Sequence, residues 1–86
     1  MTMGEEQLSE IIEGLEEIKQ DSTVPKNIKI KIDEILETLR RKDLEISLKV
    51  DKVQQELEDI SSDANLQPFT RTQLWNVVSL LETLVE

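Results

Sequence analysis

The sequence contains no cysteine and no histidine among its 86 residues. The absence of cysteine excludes disulfides, zinc-finger sites and thiol catalysis, and the absence of histidine excludes imidazole bases and histidine metal ligands. No glycine-rich phosphate loop and no nucleophile elbow is present. We therefore expect no enzyme, with no catalytic residue, no cofactor and no metal site.

Long apolar runs are also missing. No apolar stretch approaches the length of about 18 residues that a transmembrane helix needs, and the first residues lack the basic and apolar regions of a signal peptide. A chain this short forms one domain with a thin core and has little room for a deep pocket. We expect a soluble, cytoplasmic domain over residues 1–86 that binds no small-molecule substrate.

Positive charge is scarce. The chain has 10 lysine and arginine residues against 19 aspartate and glutamate residues, and its net charge is -9. Binding to nucleic acid depends on neutralising phosphates with basic side chains, and anionic membrane surfaces attract basic segments in the same way. An acidic protein of this kind is not expected to bind a membrane, and nucleic acid is an unfavourable partner.

What the sequence does contain is apolar residues at helical spacing in four segments. We predict helices over about residues 5–20, 25–42 and 43–62, and a fourth from Pro68 or Thr70 to the end of the chain. The predicted fold is all-α, a four-helix up-and-down bundle built from two helical hairpins, residues 5–42 and 43–86. The apolar positions are Leu8, Ile11, Ile12, Leu15 and Ile18; Ile28, Ile32, Ile35, Leu36 and Leu39; Ile46, Val50, Val53, Leu57 and Ile60; and Leu74, Val77, Val78, Leu81, Leu84 and Val85.

Some local features allow more than one interpretation. Residues 28–32 alternate with period two, which is typical of a strand, but the helical pattern continues through Leu39 and favours a helix. The fourth helix begins either with Pro68 in its first turn or with Thr70 as its cap. Gly14 lies in the middle of a helix and either allows a neighbour to approach or is tolerated. The fourth helix is the most hydrophobic, and we expect it to be the most buried.

The two halves of the chain are similar to each other. An offset of 42 residues relates Asp21 to Asp63, and alignment of the two prolines changes the offset to 43, which pairs Ile32 with Trp75 and Ile35 with Val78. Either any two amphipathic hairpins align this well, or a helix–loop–helix unit has been duplicated. Two such units form either a closed bundle or a fragment of a solenoid.

Two segments are distinctive, residues 21–28 (DSTVPKNI) and residues 68–79 (PFTRTQLWNVVS), the latter followed by Leu81 and Glu82. Together with the length and the order of the helices, they resemble an archaeal group of small proteins called uncharacterised protein family 0147. The sequence departs from the pattern of that family at Ala64, where proline is usual, and at Lys29, where arginine is usual. The resemblance implies a compact four-helix domain and carries over no activity, cofactor or catalytic residue.

The first candidate interaction residues are Phe69, Arg71 and Trp75. They include both aromatic residues of the chain, and Arg71 lies one helical turn before Trp75. Tryptophan and arginine are frequent at the energetic centres of protein interfaces, and the two side chains could stack. The structural alternative is that Trp75 anchors the junction of loop and core with Arg71 lying over its ring.

Leu44 and Leu48 are the second set of candidates, because they lie off the main apolar stripe of the third helix, as Ile30 does in the second. They either form a second face that is buried in a dimer or are ordinary exposed apolar residues.

The charged segments have simple explanations. Residues 26–42 are basic and end in the run Arg40, Arg41 and Lys42. They either contact the acidic first and third helices or bind phosphate groups of a nucleic acid. The carboxylates of the first helix are spread around it and do not converge on a cation. We favour a non-enzymatic module that binds a protein partner or a second copy of itself, for example as a dimer, over a nucleic-acid-associated factor using residues 26–42.

Overall fold

The structure is a computed structural model that describes the backbone of residues 3–84 and the side chains of residues 6–84. It contains four α-helices, α1 (Met3–Gln20), α2 (Lys26–Arg40), α3 (Ile46–Ser61) and α4 (Pro68–Thr83), and no strand within the described residues. Residues 28–32 lie within α2, so their helical assignment is confirmed. The predicted fourth helix included Val85, which lies outside the described residues.

The helices form a closed ring in the order α1, α2, α3, α4. Each helix packs against the helices before and after it in this order, and α4 packs against α1, with no backbone contact between the diagonal pairs among residues 3–84. The molecule measures 35 × 20 × 20 Å. Because short loops connect neighbouring helices, the chain runs up and down around the ring. The predicted four-helix up-and-down bundle is confirmed, and the solenoid alternative is wrong.

One apolar core fills the centre of the ring. It consists of the buried residues Ile11, Leu15, Ile18, Val24, Ile28, Ile32, Ile35, Leu36, Leu39, Val50, Val53, Leu57, Ile60, Leu66, Leu74, Val77 and Leu81. All four predicted apolar stripes contribute to it. Burying a single leucine or isoleucine side chain contributes about 2 kcal/mol, so these residues supply most of the free energy that opposes unfolding.

Two details of the prediction are wrong. The helix α3 begins at Ile46 rather than near Asp43, and Ile46 itself, the first member of the predicted stripe, is exposed. The helix α4 is not the most buried, because α2 buries six residues and α4 buries four. Of the two predicted starts of α4, the one with Pro68 in the first turn is confirmed, because Pro68 follows the N-cap Gln67 and Thr70 is buried inside the first turn.

The loops α1–α2 and α3–α4 have the same geometry. In the first, the backbone N–H of Thr23 donates to a carboxylate oxygen of Asp21, and in the second the N–H of Asn65 donates to Asp63, at 2.9 and 2.8 Å. Aspartate commonly forms such a turn by accepting from the backbone two residues later. The helix α2 has no side-chain cap, so the carboxylate of Asp21 stabilises the turn rather than the start of the helix.

The two hairpins are equivalent at a constant offset of 42 residues throughout the part of the chain that the structure describes. Pro25 and Gln67 are the N-caps of α2 and α4, and they have similar backbone angles. Ile32 therefore corresponds to Leu74, and both are buried, whereas Trp75 is 66% exposed. The predicted change to an offset of 43 is wrong, because the two prolines occupy different positions, the cap in one hairpin and the first helical residue in the other.

The helices α1 and α4 approach each other closely at Gly14. A Cβ atom at this position would lie 3.3 Å from Cγ2 of Val77 on α4, which is tighter than an ordinary van der Waals contact. Glycine in a helix costs about 1 kcal/mol relative to alanine. The structure thus supports the interpretation that Gly14 allows a neighbouring helix to approach.

We predict that the effect of Gly14→Ala depends on the side chain at position 77. In a Val77→Ala background, Gly14→Ala should increase the free energy of unfolding by about 1 kcal/mol, through helix propensity alone. In the wild-type background the gain should be smaller, because Val77 must move. Urea unfolding of the four proteins measures both effects, and equal effects in the two backgrounds would contradict the assigned contact.

Candidate interaction site

Two of the candidate residues on α4, Phe69 and Trp75, are largely exposed, 67% and 66% respectively. Large aromatic side chains are normally more buried than this in a small domain. The interpretation that Trp75 anchors the junction of loop and core is therefore wrong. Leu48 is also exposed, and Leu44 and Arg71 are intermediate.

A groove of about 510 Å³ lies between α3 and α4, and we call it the α3–α4 groove. Its lining residues are Glu58 and Ser61 from α3, and Leu74, Trp75, Val78, Ser79 and Glu82 from α4. Leu74 is fully buried and Val78 partly buried, so they form the floor. The exposed Trp75 forms part of the wall. The charged lining residues, Glu58 and Glu82, are both carboxylates.

Phe69 does not share this groove. It precedes Trp75 by six residues, and six residues at 3.6 per turn place two side chains about 120° apart around a helix. Phe69 is absent from the lining of the α3–α4 groove. The structure therefore separates two residues that the sequence placed in one cluster.

Arg71 is used inside the molecule. Its Nε donates to the carbonyl oxygen of Ser61 at 3.0 Å, and one Nη donates to the carbonyl oxygen of Asp63 at 2.8 Å. Ser61 is the last residue of α3, and the last four carbonyls of a helix lack partners within the helix. A positive side chain at this end also complements the helix dipole. Arg71 thus fastens the end of α3 to the start of α4.

The second set of candidates forms a separate, shallower depression. Leu44 and Leu48 line it together with Arg41, Lys52 and two polar residues of α3, and its volume is about 420 Å³. Leu44 lies in the α2–α3 loop because α3 begins only at Ile46. The structure brings Leu44 and Leu48 together, as expected, but at the opposite end of α3 from the α3–α4 groove.

Part of the basic segment is paired with carboxylates. Arg40 binds Glu16 on α1, and Arg41 binds Asp43 in the next loop. A third pair, Lys19 with Asp33, also joins α1 to α2, at 2.8 Å. These exposed pairs each contribute little to stability, typically below about 1 kcal/mol. They do neutralise both arginine residues of residues 26–42.

Sequence reasoning did not single out Lys49. This side chain is buried, 8% exposed, and its Nζ lies 3.4 Å from the carbonyl oxygen of Leu39 near the end of α2. Like Arg71 at the end of α3, Lys49 donates to a backbone carbonyl near the end of the preceding helix, here α2. The only signal in the sequence was a lysine next to Val50 of the apolar stripe, which is a common position for an exposed charge.

The comparison with known proteins decides the family. A model of the uncharacterised protein family UPF0147 matches residues 1–84. The chain belongs to family UPF0147. The resemblance expected from residues 21–28 and 68–79 is thereby confirmed.

Members of UPF0147 from archaea align over nearly the whole chain. A UPF0147 protein of Archaeoglobus fulgidus is 42% identical over 81 residues, which cover 94% of this chain and 92% of that protein. A UPF0147 protein of Pyrococcus furiosus is 37% identical over 83 residues, covering 95% and 89%. These relatives carry the family designation and no stated activity.

Two crystal structures have the same fold. A UPF0147 protein of Thermoplasma acidophilum superposes with a TM-score of 0.88 at 29% identity, covering 93% of this chain and 94% of that one. A protein of unknown function superposes with a TM-score of 0.84 at 42% identity, covering 90% and 88%. The bundle is therefore the fold that solved members of UPF0147 share.

Two further properties concern the described part of this UPF0147 chain. No helix within residues 3–84 is long and apolar enough to cross a membrane. Among the side chains of residues 6–84, no group of three or more acidic residues is arranged to hold a metal ion.

We predict that Arg71→Ala lowers the free energy of unfolding by about 2 kcal/mol, because it removes two partly buried hydrogen bonds from a charged donor. Arg71→Lys should restore about half of the loss. Arg41→Ala is the matched control, since it removes an arginine from an exposed ion pair and should cost clearly less stability than Arg71→Ala. Thermal and urea unfolding measure these changes, and equal losses for the two alanine variants would contradict the assigned role.

The carboxyl of Glu56 on α3 provides a prediction about pH. Burial raises its pKa; nearby Lys52 lowers it, and the carboxylates of Glu34 and Asp59 raise it further, so the net direction is upward. The native state therefore binds this proton more strongly than the unfolded state does. Stability contributed by the protonated carboxyl is lost as pH rises through the interval between the unfolded and folded pKa values.

At neutral pH, Glu56→Gln should therefore stabilise this UPF0147 protein. We expect a gain of no more than about 0.5 kcal/mol, because water screens a partly exposed group. Glu13→Gln removes the same charge from an exposed position on α1 and should give a smaller gain. Urea unfolding at about pH 7 and pH 4 distinguishes the two variants, and a Glu56→Gln gain that persists undiminished at the lower pH would count against this explanation.

Proposed function

We propose that the chain is a non-enzymatic, cytoplasmic protein-interaction module whose contact surface is the α3–α4 groove. The observation that carries the proposal is Trp75, which is 66% exposed and forms part of the wall of the groove beside the buried Leu74. Tryptophan in an apolar depression is the usual composition of an interface centre. The same surface serves if the partner is a second copy of the chain.

The equivalence of the two hairpins supports this assignment. At the offset of 42 residues, Trp75 corresponds to Asp33 and Phe69 corresponds to Asn27. The first hairpin forms the same helix, loop and core with polar residues at these positions. Packing of the hairpin does not require an aromatic side chain at either place, so a role outside the fold accounts better for the exposed tryptophan.

Other properties agree with an interaction module. The polar residues that line the groove are two glutamates and two serines, and the chain supplies no histidine or cysteine to activate them. The nucleic-acid alternative has weaker support, because Arg40 and Arg41 are paired with Glu16 and Asp43. Phosphate binding would have to break these pairs or depend on the lysines of residues 26–42 alone.

The test compares Trp75→Ala with Ile30→Ala, which truncates an apolar side chain that is 51% exposed on α2. Both variants should unfold at nearly the wild-type temperature, because neither side chain belongs to the core. Sedimentation of the purified protein and quantitative recovery from a native extract measure self-association and bound partners.

We expect the wild type and Ile30→Ala to form the same stoichiometric complex and Trp75→Ala to lose it. If Trp75→Ala and Ile30→Ala form the complex equally well, the α3–α4 groove is not the contact surface. A wild-type protein that stays monomeric and retains no partner would contradict the proposed function altogether.

A further inference from the structure

We propose that the occupant of the α3–α4 groove is a positively charged amphipathic helix of a partner protein. This inference rests on the proposed function and specifies its partner. It is carried by the shape of the groove, by the charges on its two sides and by the net charge of the chain.

The shape of the groove suits a helix. The groove lies between two neighbouring antiparallel helices, and its accessible apolar side chains, the exposed Trp75 and the partly buried Val78, lie on α4 beside the fully buried Leu74. Amphipathic helices dock into grooves of this kind by inserting apolar side chains spaced three or four residues apart. The volume of the groove, about 510 Å³, is enough for a few such side chains to insert. A partner with a broad, flat surface would not fill it.

The charges of the groove select a basic partner. Each of the two helices contributes one carboxylate to the lining, Glu58 from α3 and Glu82 from α4, and no lysine or arginine is among the residues that line the groove. Glu82 also accepts a hydrogen bond from Nε2 of Gln54 on α3 at 3.5 Å. Neither glutamate takes part in an ion pair among the described residues. Lysine or arginine side chains that flank the apolar stripe of a docked helix would therefore meet carboxylates from both α3 and α4.

The net charge disfavours a second copy of the chain as the occupant. Each molecule carries a charge of -9, so two copies repel one another as they approach. A basic partner is instead attracted over a distance comparable with the Debye length, about 8 Å at physiological ionic strength. The same field would speed the association of such a partner.

Trp75 makes the inference directly measurable, because it is the only tryptophan of the chain. The probes are two synthetic helical peptides of about 18 residues, which is about five turns. Both carry leucine at the same amphipathic positions, one with lysine and the other with glutamate on the polar face, and neither contains tryptophan. Titration of the full-length protein is followed through the emission of Trp75.

The lysine peptide should shift the emission of Trp75 to shorter wavelength with a saturable dissociation constant, and the glutamate peptide should produce no shift. The double variant Glu58→Gln/Glu82→Gln should bind the lysine peptide about fivefold more weakly, as expected for two partly exposed ion pairs. The control Glu13→Gln/Glu37→Gln removes the same total charge from exposed positions on α1 and α2 and should bind like the wild type.

Other outcomes overturn the inference in distinguishable ways. If both peptides shift Trp75 equally, or if the two double variants weaken binding equally, the groove does not select a basic helix, while the proposed interaction at Trp75 stands. If neither peptide binds but the protein forms a dimer that Trp75→Ala disrupts, the occupant is a second copy. If no peptide binds and no complex depends on Trp75, both the inference and the proposed function are wrong.

Discussion

The close contact between α1 and α4 is the constraint on which the rest of the structure depends. Each hairpin alone exposes an apolar stripe on both of its helices, and a short chain has no further helices to cover them. Packing the last helix against the first closes the ring and turns two half-covered hairpins into one core. Gly14 lets α1 and α4 approach without displacing Val77, because a Cβ atom at position 14 would lie 3.3 Å from Cγ2 of Val77.

The two hairpins of the bundle have similar loops and core residues but different exposed surfaces. The two hairpins share an aspartate turn, a buried apolar residue in the loop and a basic residue close after it, Lys29 in one and Arg71 in the other. The arginine donates to the carbonyl oxygens of Ser61 at the end of α3 and Asp63 in the loop. The pKa of Asp21 is lowered mainly by the two hydrogen bonds from Thr23, and the charge of Lys29 lowers it further. The outer surfaces of the two hairpins differ, and the exposed tryptophan occurs in only one of them. A surface feature that the repeated fold does not need is a reasonable place to look for function.

Membership of family UPF0147 establishes the fold and leaves the biological role to be argued from the surface. Relatives that share from 37% to 42% of their residues with this chain carry only the family designation. An acidic groove with an apolar floor is a physical property that can be examined in any member of the family. Binding of a basic helix, as proposed, is a function that needs no deep pocket and no catalytic group.

The sequence by itself determined the number of helices, their approximate extents and most of the core, because apolar residues at a period of 3.6 leave few alternatives. Tertiary structure decided the rest. The helix α4 has apolar residues over a wide arc, and only the positions of α1 and α3 determine that Leu74 is covered and Trp75 is not. Alignment of the two prolines predicted that the offset between the hairpins changes from 42 to 43 residues. In the bundle, equivalent core residues of the two hairpins keep the offset of 42. Leu48 and Lys49 are neighbours on α3, but Leu48 is exposed and Lys49 is buried, and this difference depends on where α2 lies.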